Sequence, residues 1–137
     1  FIGGGSTYYN NELSNENLVR IQSEAIRKAA EDHSCIFIGR CADYVLRNHP
    51  RCVNVFVTAD MDDRIANVMK WNNCTAEKAQ SIIEKGDSER AEFYNFYSSG
   101  TWGAASTYHL CINSSVLGIE GTAAFIKEFV IKKLSEL

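Results

Sequence analysis

A chain of 137 residues, 45% hydrophobic and 23% charged, has the composition of one globular domain with one core. A net charge of −3 speaks against a sequence-independent nucleic-acid or membrane surface, which needs a dense basic face, but leaves room for a small basic pocket around one anionic ligand. No apolar run reaches the roughly 18 residues of a membrane span and no charged-then-apolar leader opens the chain, so the sequence reads as soluble, cytoplasmic and not exported.

The five cysteines, Cys35, Cys41, Cys52, Cys74 and Cys111, are odd in number and show no CxxC spacing. They read as reduced packing residues in a cytosolic protein. His33, His49 and His109 do not cluster with them, so no metal site is expected. The chain begins at Phe1 rather than Met, which reads as a piece of something longer.

Residues 1–11, FIGGGSTYYNN, are rich in Gly, Ser and Asn and read as a loop. Gly3, Gly4 and Gly5 invite comparison with a phosphate-cradling turn. The P-loop pattern requires Lys-Ser or Lys-Thr after its last glycine, however, and neither follows. Residues 14–30 read as a helix capped by Ser14, with Glu16 in its first turn and Leu18, Ile21, Ala25, Ile26 and Ala29 as its buried face. Arg20 and Gln22 fall elsewhere on that helix. They belong either to a solvated polar face or, more sharply, over a pocket at the end of the next strand.

That strand is expected at residues 35–38, apolar throughout like a parallel strand covered on both faces. It runs into Gly39 and Arg40 and then a helix over 42–47 that stops at Pro50. The glycine permits a tight turn, the helix start offers free N–H groups and Arg40 brings a forked charge. Segment 36–46, IFIGRCADYVL, therefore reads as an anion grip with Arg40 on a phosphate. Asp43 can meet the same ligand. The competing assignment is a surface arginine, or an Arg40–Asp43 pair.

A second strand spans residues 52–59, and Asp60 or Asp62 can cap the helix that follows. Arg64 sits in the first turn of that helix, where a cation opposes the dipole, so it is placed either for another partner or for Asp60 or Asp63. Thr75 starts a further helix with Ala79, Ile82 and Ile83 inside. Residues 84–103, EKGDSERAEFYNFYSSGTWG, then pass from charge to aromatics and read as a lid carrying Lys85, Asp87 and Arg90. The rings of 93–102 are expected to pack rather than to stack on a base. A third strand over 108–113 and a helix over 119–134 complete the pattern, a three-layer α/β domain with a parallel sheet.

The stretches QSEAIRKAAEDHSCIFIGRCADYVLRNHPRCVNVFV, DSERAEFYNFY and W-G…YHLCINSSVLGIE, in that order, resemble the cytidylate kinase-like family of P-loop nucleoside monophosphate kinases. The resemblance covers residues 14–131. It implies a five-stranded parallel P-loop kinase-like sheet and transfer of the ATP γ-phosphoryl group to CMP or a similar acceptor, with Mg²⁺. By position, Arg40 matches the arginine that grips the acceptor phosphate, with Asp43, Arg20 and Gln22 around the acceptor. Cys41 stands where cytidylate kinases carry an acidic residue directly after that arginine. Asp87 and Arg90 match the D-x-x-R of the lid, whose arginine reaches the phosphates, with Lys85 the only further lid cation, and Arg90, Asp87 and Lys85 are the expected catalytic residues. Arg64, Ser114 and Ser115 fall on the ATP side. The family's first strand, P-loop and following helix are matched by nothing in residues 1–137 and are expected upstream of Phe1. Arginines on two bodies, Arg40 on the core and Arg90 on the lid, would neutralise the aligned phosphates on closure. The expected partners are ATP and a nucleoside monophosphate, with no nucleic acid or membrane, and a homodimer left open. Two other functions compete: a nucleotide-binding regulator with the kinase fold and no turnover, and an interaction domain using segment 93–102.

Overall fold

The computed structural model of the chain describes residues 6–137, and side chains from residue 15. Gly3, Gly4 and Gly5 lie outside the described residues. Backbone contacts divide the chain into two units, one ending at His49 and the other running from Pro50 to Leu137.

The first unit is helix α1 (Ser6–Asp32), an extended passage and the short helix α2 (Ala42–Val45). Residues 6–11, expected in a loop, are helical, and Ser14 lies inside α1 rather than at its N-cap. Their Ser, Asn and Tyr residues disfavour a helix by only about 0.5 kcal/mol each. Extending an existing helix upstream avoids a new nucleus. The face that α1 turns inward also differs from the expected one. Leu18 and Ile21 are exposed at 48% and 55%. Ile26 and Ala29 of the expected face are half-buried, together with Val19, Gln22, Ser23 and Ala30. The small core of this unit is Cys41, Ala42 and Leu46.

The strand expected at residues 35–38 does not form: this passage has no ladder among the described residues, and Ile36 and Ile38 are 91% and 87% exposed. Strand propensity expresses the fit of a side chain to a paired, half-buried surface, so an apolar run without a hydrogen-bonding neighbour stays irregular.

The second unit holds a parallel pair, β1 (Val55–Thr58) and β2 (Leu110–Asn113), with Val55 opposite Leu110 and Thr58 opposite Asn113. The crossover between them carries α3 (Met61–Asn72), α4 (Ala76–Tyr97) and a 3₁₀ turn at Ala105–Thr107. Helix α5 (Ser114–Ser135) follows β2 directly. Both strands are shorter than the apolar runs that announced them, because only four register positions are paired. Thr75 caps α4 as expected, its hydroxyl accepting the Lys78 N–H at 3.3 Å. Asn73, with φ 48°, ends α3 in the left-handed conformation suited to a helix C-terminus. Helix α5 is interrupted at Gly118 (φ 69°, ψ 175°), so its main body begins at the expected residue, Ile119.

Segment 84–97 is continuous helix in α4, and the rings of the aromatic run mostly pack. Tyr94 is buried. Phe56 of β1 meets Trp102 edge-on at 5.3 Å and Tyr108 at 5.0 Å. Gly100 is required there, since a Cβ would come within 2.7 Å of Thr107 and 3.0 Å of the Tyr94 hydroxyl. Gly103 (φ 76°) turns the chain over the Phe56 ring. Phe96 alone of this run is left largely outside, 76% exposed. No helix among the described residues is long and apolar enough to cross a membrane.

Candidate functional site

In the first unit the chain turns at Gly39, Arg40 and Cys41, which have φ of 68°, 57° and 56°. The Ala42 N–H donates to the Gly39 carbonyl at 3.2 Å and closes the turn. A Cβ on Gly39 would meet nothing within 4 Å, so this glycine answers to dihedral freedom rather than space. Two successive non-glycine residues in the left-handed region cost about 1–2 kcal/mol each, a strain that persists only where the surroundings fix it. Burial of Cys41, 6% exposed, anchors one of them. The side chain of Arg40 is held at the other: its Nε and Nη2 both donate to Gln22 Oε1, at 3.0 and 2.9 Å.

The turn therefore carries a guanidinium whose orientation is set in part by the Gln22 amide. Gln22 reaches Arg40, although the strand at whose end the sequence reading placed it does not form. Arg20 does not join them, since its Nη1 pairs with Glu24 Oε1 at 2.9 Å in an exposed pair on α1. Burial, then the nearby Asp43 carboxylate, push the Cys41 thiol up to about 11, while Arg40 opposes them. The thiol is thus neutral at physiological pH and cannot replace a carboxylate. Asp43 follows in α2 and acts on Cys41 electrostatically.

The second unit carries an ion cluster between α3 and α4. Arg64 grips Asp87 with two parallel bonds, Nη1 to Oδ2 at 2.8 Å and Nη2 to Oδ1 at 2.7 Å, and both side chains are 28% exposed. Arg90 adds a third bond, Nη1 to Asp87 Oδ1 at 3.1 Å. The partner of Arg64 is thus neither Asp60 nor Asp63 but a residue 23 positions away. Its carboxylate also compensates the unfavourable placement of a cation in the first turn of α3. The Arg64 bonds hold the Asp87 carboxyl below the usual carboxylate range, with Arg90 adding to the effect. Lys85 stands apart, 3.8 Å from Glu89 in an exposed pair.

At the carboxyl ends of the two strands, side chains knit the sheet to α3 and α5. Ser114 Oγ donates to the Thr58 carbonyl at 2.9 Å. The Asp60 N–H donates to Ser115 Oγ at 2.9 Å, and Asn113 Nδ2 donates to Asp60 Oδ1 at 2.7 Å. Asn113 Oδ1 also accepts the Ser115 N–H and so caps α5. Asp60 begins α3 without a side-chain cap bond of its own, because its carboxylate is turned to Asn113. Strand carboxyl ends are where parallel α/β sheets bind ligands. Sequence reasoning named Ser114 and Ser115 but missed Asn113 and the strand-end role of Asp60. An Asn closing an apolar strand just before Ser-Ser is a helix-start signal that points to Asn113. No local signal points to the Asp60 contact. Among the described residues no group of three or more His, Cys, Asp or Glu side chains is placed to hold a metal ion.

Comparison with known proteins gives two findings. Residues 2–116 match the model of the cytidylate kinase-like family. Among solved structures, an uncharacterized protein from Eubacterium ventriosum ATCC 27560 superimposes with a TM-score of 0.80 at 27% identity, over 83% of this chain and 65% of that one. The chain thus spans about two thirds of the length of the structure it matches. No curated protein matches the chain.

Proposed function

The chain belongs to the cytidylate kinase-like family, and from that premise we propose that it serves a phosphotransferase moving the ATP γ-phosphoryl group to CMP or a similar nucleoside monophosphate. The observation that carries this reading is the Arg40 seat, a guanidinium on a strained turn and aimed by Gln22. Such a group suits the terminal phosphate of an acceptor, which it can hold with two parallel bonds. Arg64 and Arg90 are assigned to the phosphates of the donor, and Ser114 and Ser115 to the donor side at the strand ends. Arg20, Asp43 and Lys85 are assigned peripheral roles in binding and charge balance. The same reading carries a three-layer P-loop kinase-like fold and a cytoplasmic setting for the whole protein.

In the transfer, a non-bridging oxygen of the acceptor phosphate forms a bond to the γ-phosphorus. The bond from that phosphorus to the β–γ bridging oxygen breaks, and ADP leaves with the electron pair. The protein has little covalent work to do; it must orient two anions and neutralise them. Mg²⁺ in phosphoryl-transfer sites is bound through substrate phosphates with one or two carboxylates, and on this reading the nucleotide phosphates carry it. The test is a transfer assay with radiolabelled ATP and each common nucleoside monophosphate, using the full-length protein. Transfer to a pyrimidine monophosphate, reduced on the order of 10³-fold by Arg40→Ala, is expected. No transfer to any monophosphate, together with CMP binding unchanged by Arg40→Ala, refutes the reading.

A second reading, a nucleotide-binding regulator without turnover, is favoured by Cys41. This residue is buried and neutral at the position where cytidylate kinases carry an acid. Calorimetric binding of CMP and ATP with no transfer would establish it. Packing of Tyr94 and Trp102 inside the second unit weighs against segment 93–102 as a contact surface.

A further inference from the structure

Helix α4 contains a glycine in its middle, Gly86, although its φ is not in the left-handed region and a glycine there costs about 1 kcal/mol against alanine. The space it leaves is occupied. A Cβ built on Gly86 would lie 3.1 Å from Arg90 Nη1, 3.5 Å from Nη2 and 3.6 Å from Cζ. The guanidinium of Arg90 is thus laid back over the turn preceding it, where its Nη1 meets Asp87 Oδ1. The same oxygen accepts from Arg64 Nη2. Three residues of α4, Gly86, Asp87 and Arg90, together with Arg64 of α3, bring two guanidiniums onto one carboxylate. The cluster keeps one net positive charge.

We infer that Gly86 and Asp87 are positioning residues for a polyphosphate site whose binding groups are Arg64 and Arg90, Gly86 by clearing the seat of the Arg90 guanidinium and Asp87 by bridging the two forks. This deepens the assignment of Arg64 and Arg90 to the donor phosphates and rests on it. Without the bridge, two cations would repel at this distance and each would adopt its own rotamers. With it, the outward N–H groups of both are fixed before an anion arrives, so less side-chain freedom is lost on binding. Arg64 is committed by two bonds and acts as the anchor. Arg90, 62% exposed and held by one bond, presents most of its donors to solvent.

The test uses calorimetric titration of the full-length protein with inorganic tripolyphosphate, a probe that reports the site whether or not the protein turns over. Gly86→Ala should weaken binding about threefold and Gly86→Leu about tenfold, as expected for displacing one charge-assisted contact. Both substitutions favour the helix, so the thermal midpoint should hold or rise. A merely structural glycine would not separate the two readouts in this way. If Gly86 acts through Arg90, the double variant Gly86→Leu with Arg90→Ala should bind no more weakly than Arg90→Ala alone. Asp87→Asn should weaken binding even though it removes a negative charge, which a purely electrostatic site would reward with tighter binding. Wild-type protein that fails to bind tripolyphosphate overturns the inference. So do additive losses in the double variant, or tighter binding by Asp87→Asn. If the transfer assay fails while these shifts appear, the phosphotransferase reading falls and the anion site stands.

Discussion

Two arginines in this molecule are held by two kinds of partner. Arg40 donates twice to one oxygen of a neutral amide, Gln22. Arg64 donates in parallel to both oxygens of a carboxylate, Asp87. The geometry is fixed in each case, but the charge is not treated alike. Gln22, being neutral, itself adds no counter-charge to the guanidinium it holds. Next to Asp87 the guanidinium of Arg64 is neutralised, and the charge of the cluster returns only with Arg90. The first arrangement suits a group that grips an anion directly, and the second suits an anchor that sets the place of another group.

The largest expected effect that sharpens this contrast is loss of the exposed charge. Arg40→Ala should lower transfer on the order of 10³-fold in a steady-state assay. The thermal midpoint should stay close to wild type, because the side chain contributes little buried surface. Gln22→Glu comes next. It keeps the bond to Arg40 but cancels its charge, and should weaken CMP binding about tenfold in calorimetry. A Gln22→Glu variant that binds CMP as well as wild type would remove the distinction drawn between the two sites. At the other arginine, Asp87→Asn should destabilise the second unit by roughly 1–2 kcal/mol in urea unfolding, since it leaves a half-buried cation without its counter-charge.

The pH dependence of stability gives a smaller effect, in two windows. His109 Nδ1 accepts the Asn54 N–H at 2.9 Å. Burial, and then Lys133, hold this imidazole below its ordinary value. A histidine with a lowered pKa is stabilising when neutral. Its contribution is complete above about pH 6.5, falls as the pH drops below that, and levels off below the folded-state value. Asp87 has its carboxyl lowered by Arg64, so its contribution is complete above about pH 4 and is lost on further acidification. Thermal midpoints measured from pH 8 to pH 3 should show both declines, and His109→Gln should remove the first alone. Smallest is the difference in thiol reactivity. Cys41, buried and pushed up to about 11, should alkylate more slowly at pH 8 than exposed Cys35 and Cys111, as read by mass spectrometry over time.

What could be read from the sequence followed the range of each interaction. β1, β2, α3 and α4 were legible because apolar runs and the Thr75 cap are local signals. Gln22 was singled out with Arg20 as a residue of the helix before the turn, but its bond to Arg40 was not foreseen. The left-handed conformation at Arg40 and Cys41 was not legible either, because neither residue type announces it. Residues 35–38 misled because a strand is a property of two segments, and apolarity describes only one. The Arg64–Asp87 pair escaped for a related reason. It is fixed by the packing of α3 on α4, while Asp60 and Asp63 are nearer in sequence.

The central claim is that Arg40, aimed by a neutral partner, holds the acceptor phosphate. Calorimetric titration of CMP into wild type, Arg40→Ala and Gln22→Glu, at pH 8 where the phosphate is doubly charged, tests it most directly. The account predicts measurable binding to wild type, binding about tenfold weaker for Gln22→Glu and none detectable for Arg40→Ala. Equal binding by all three proteins would contradict it.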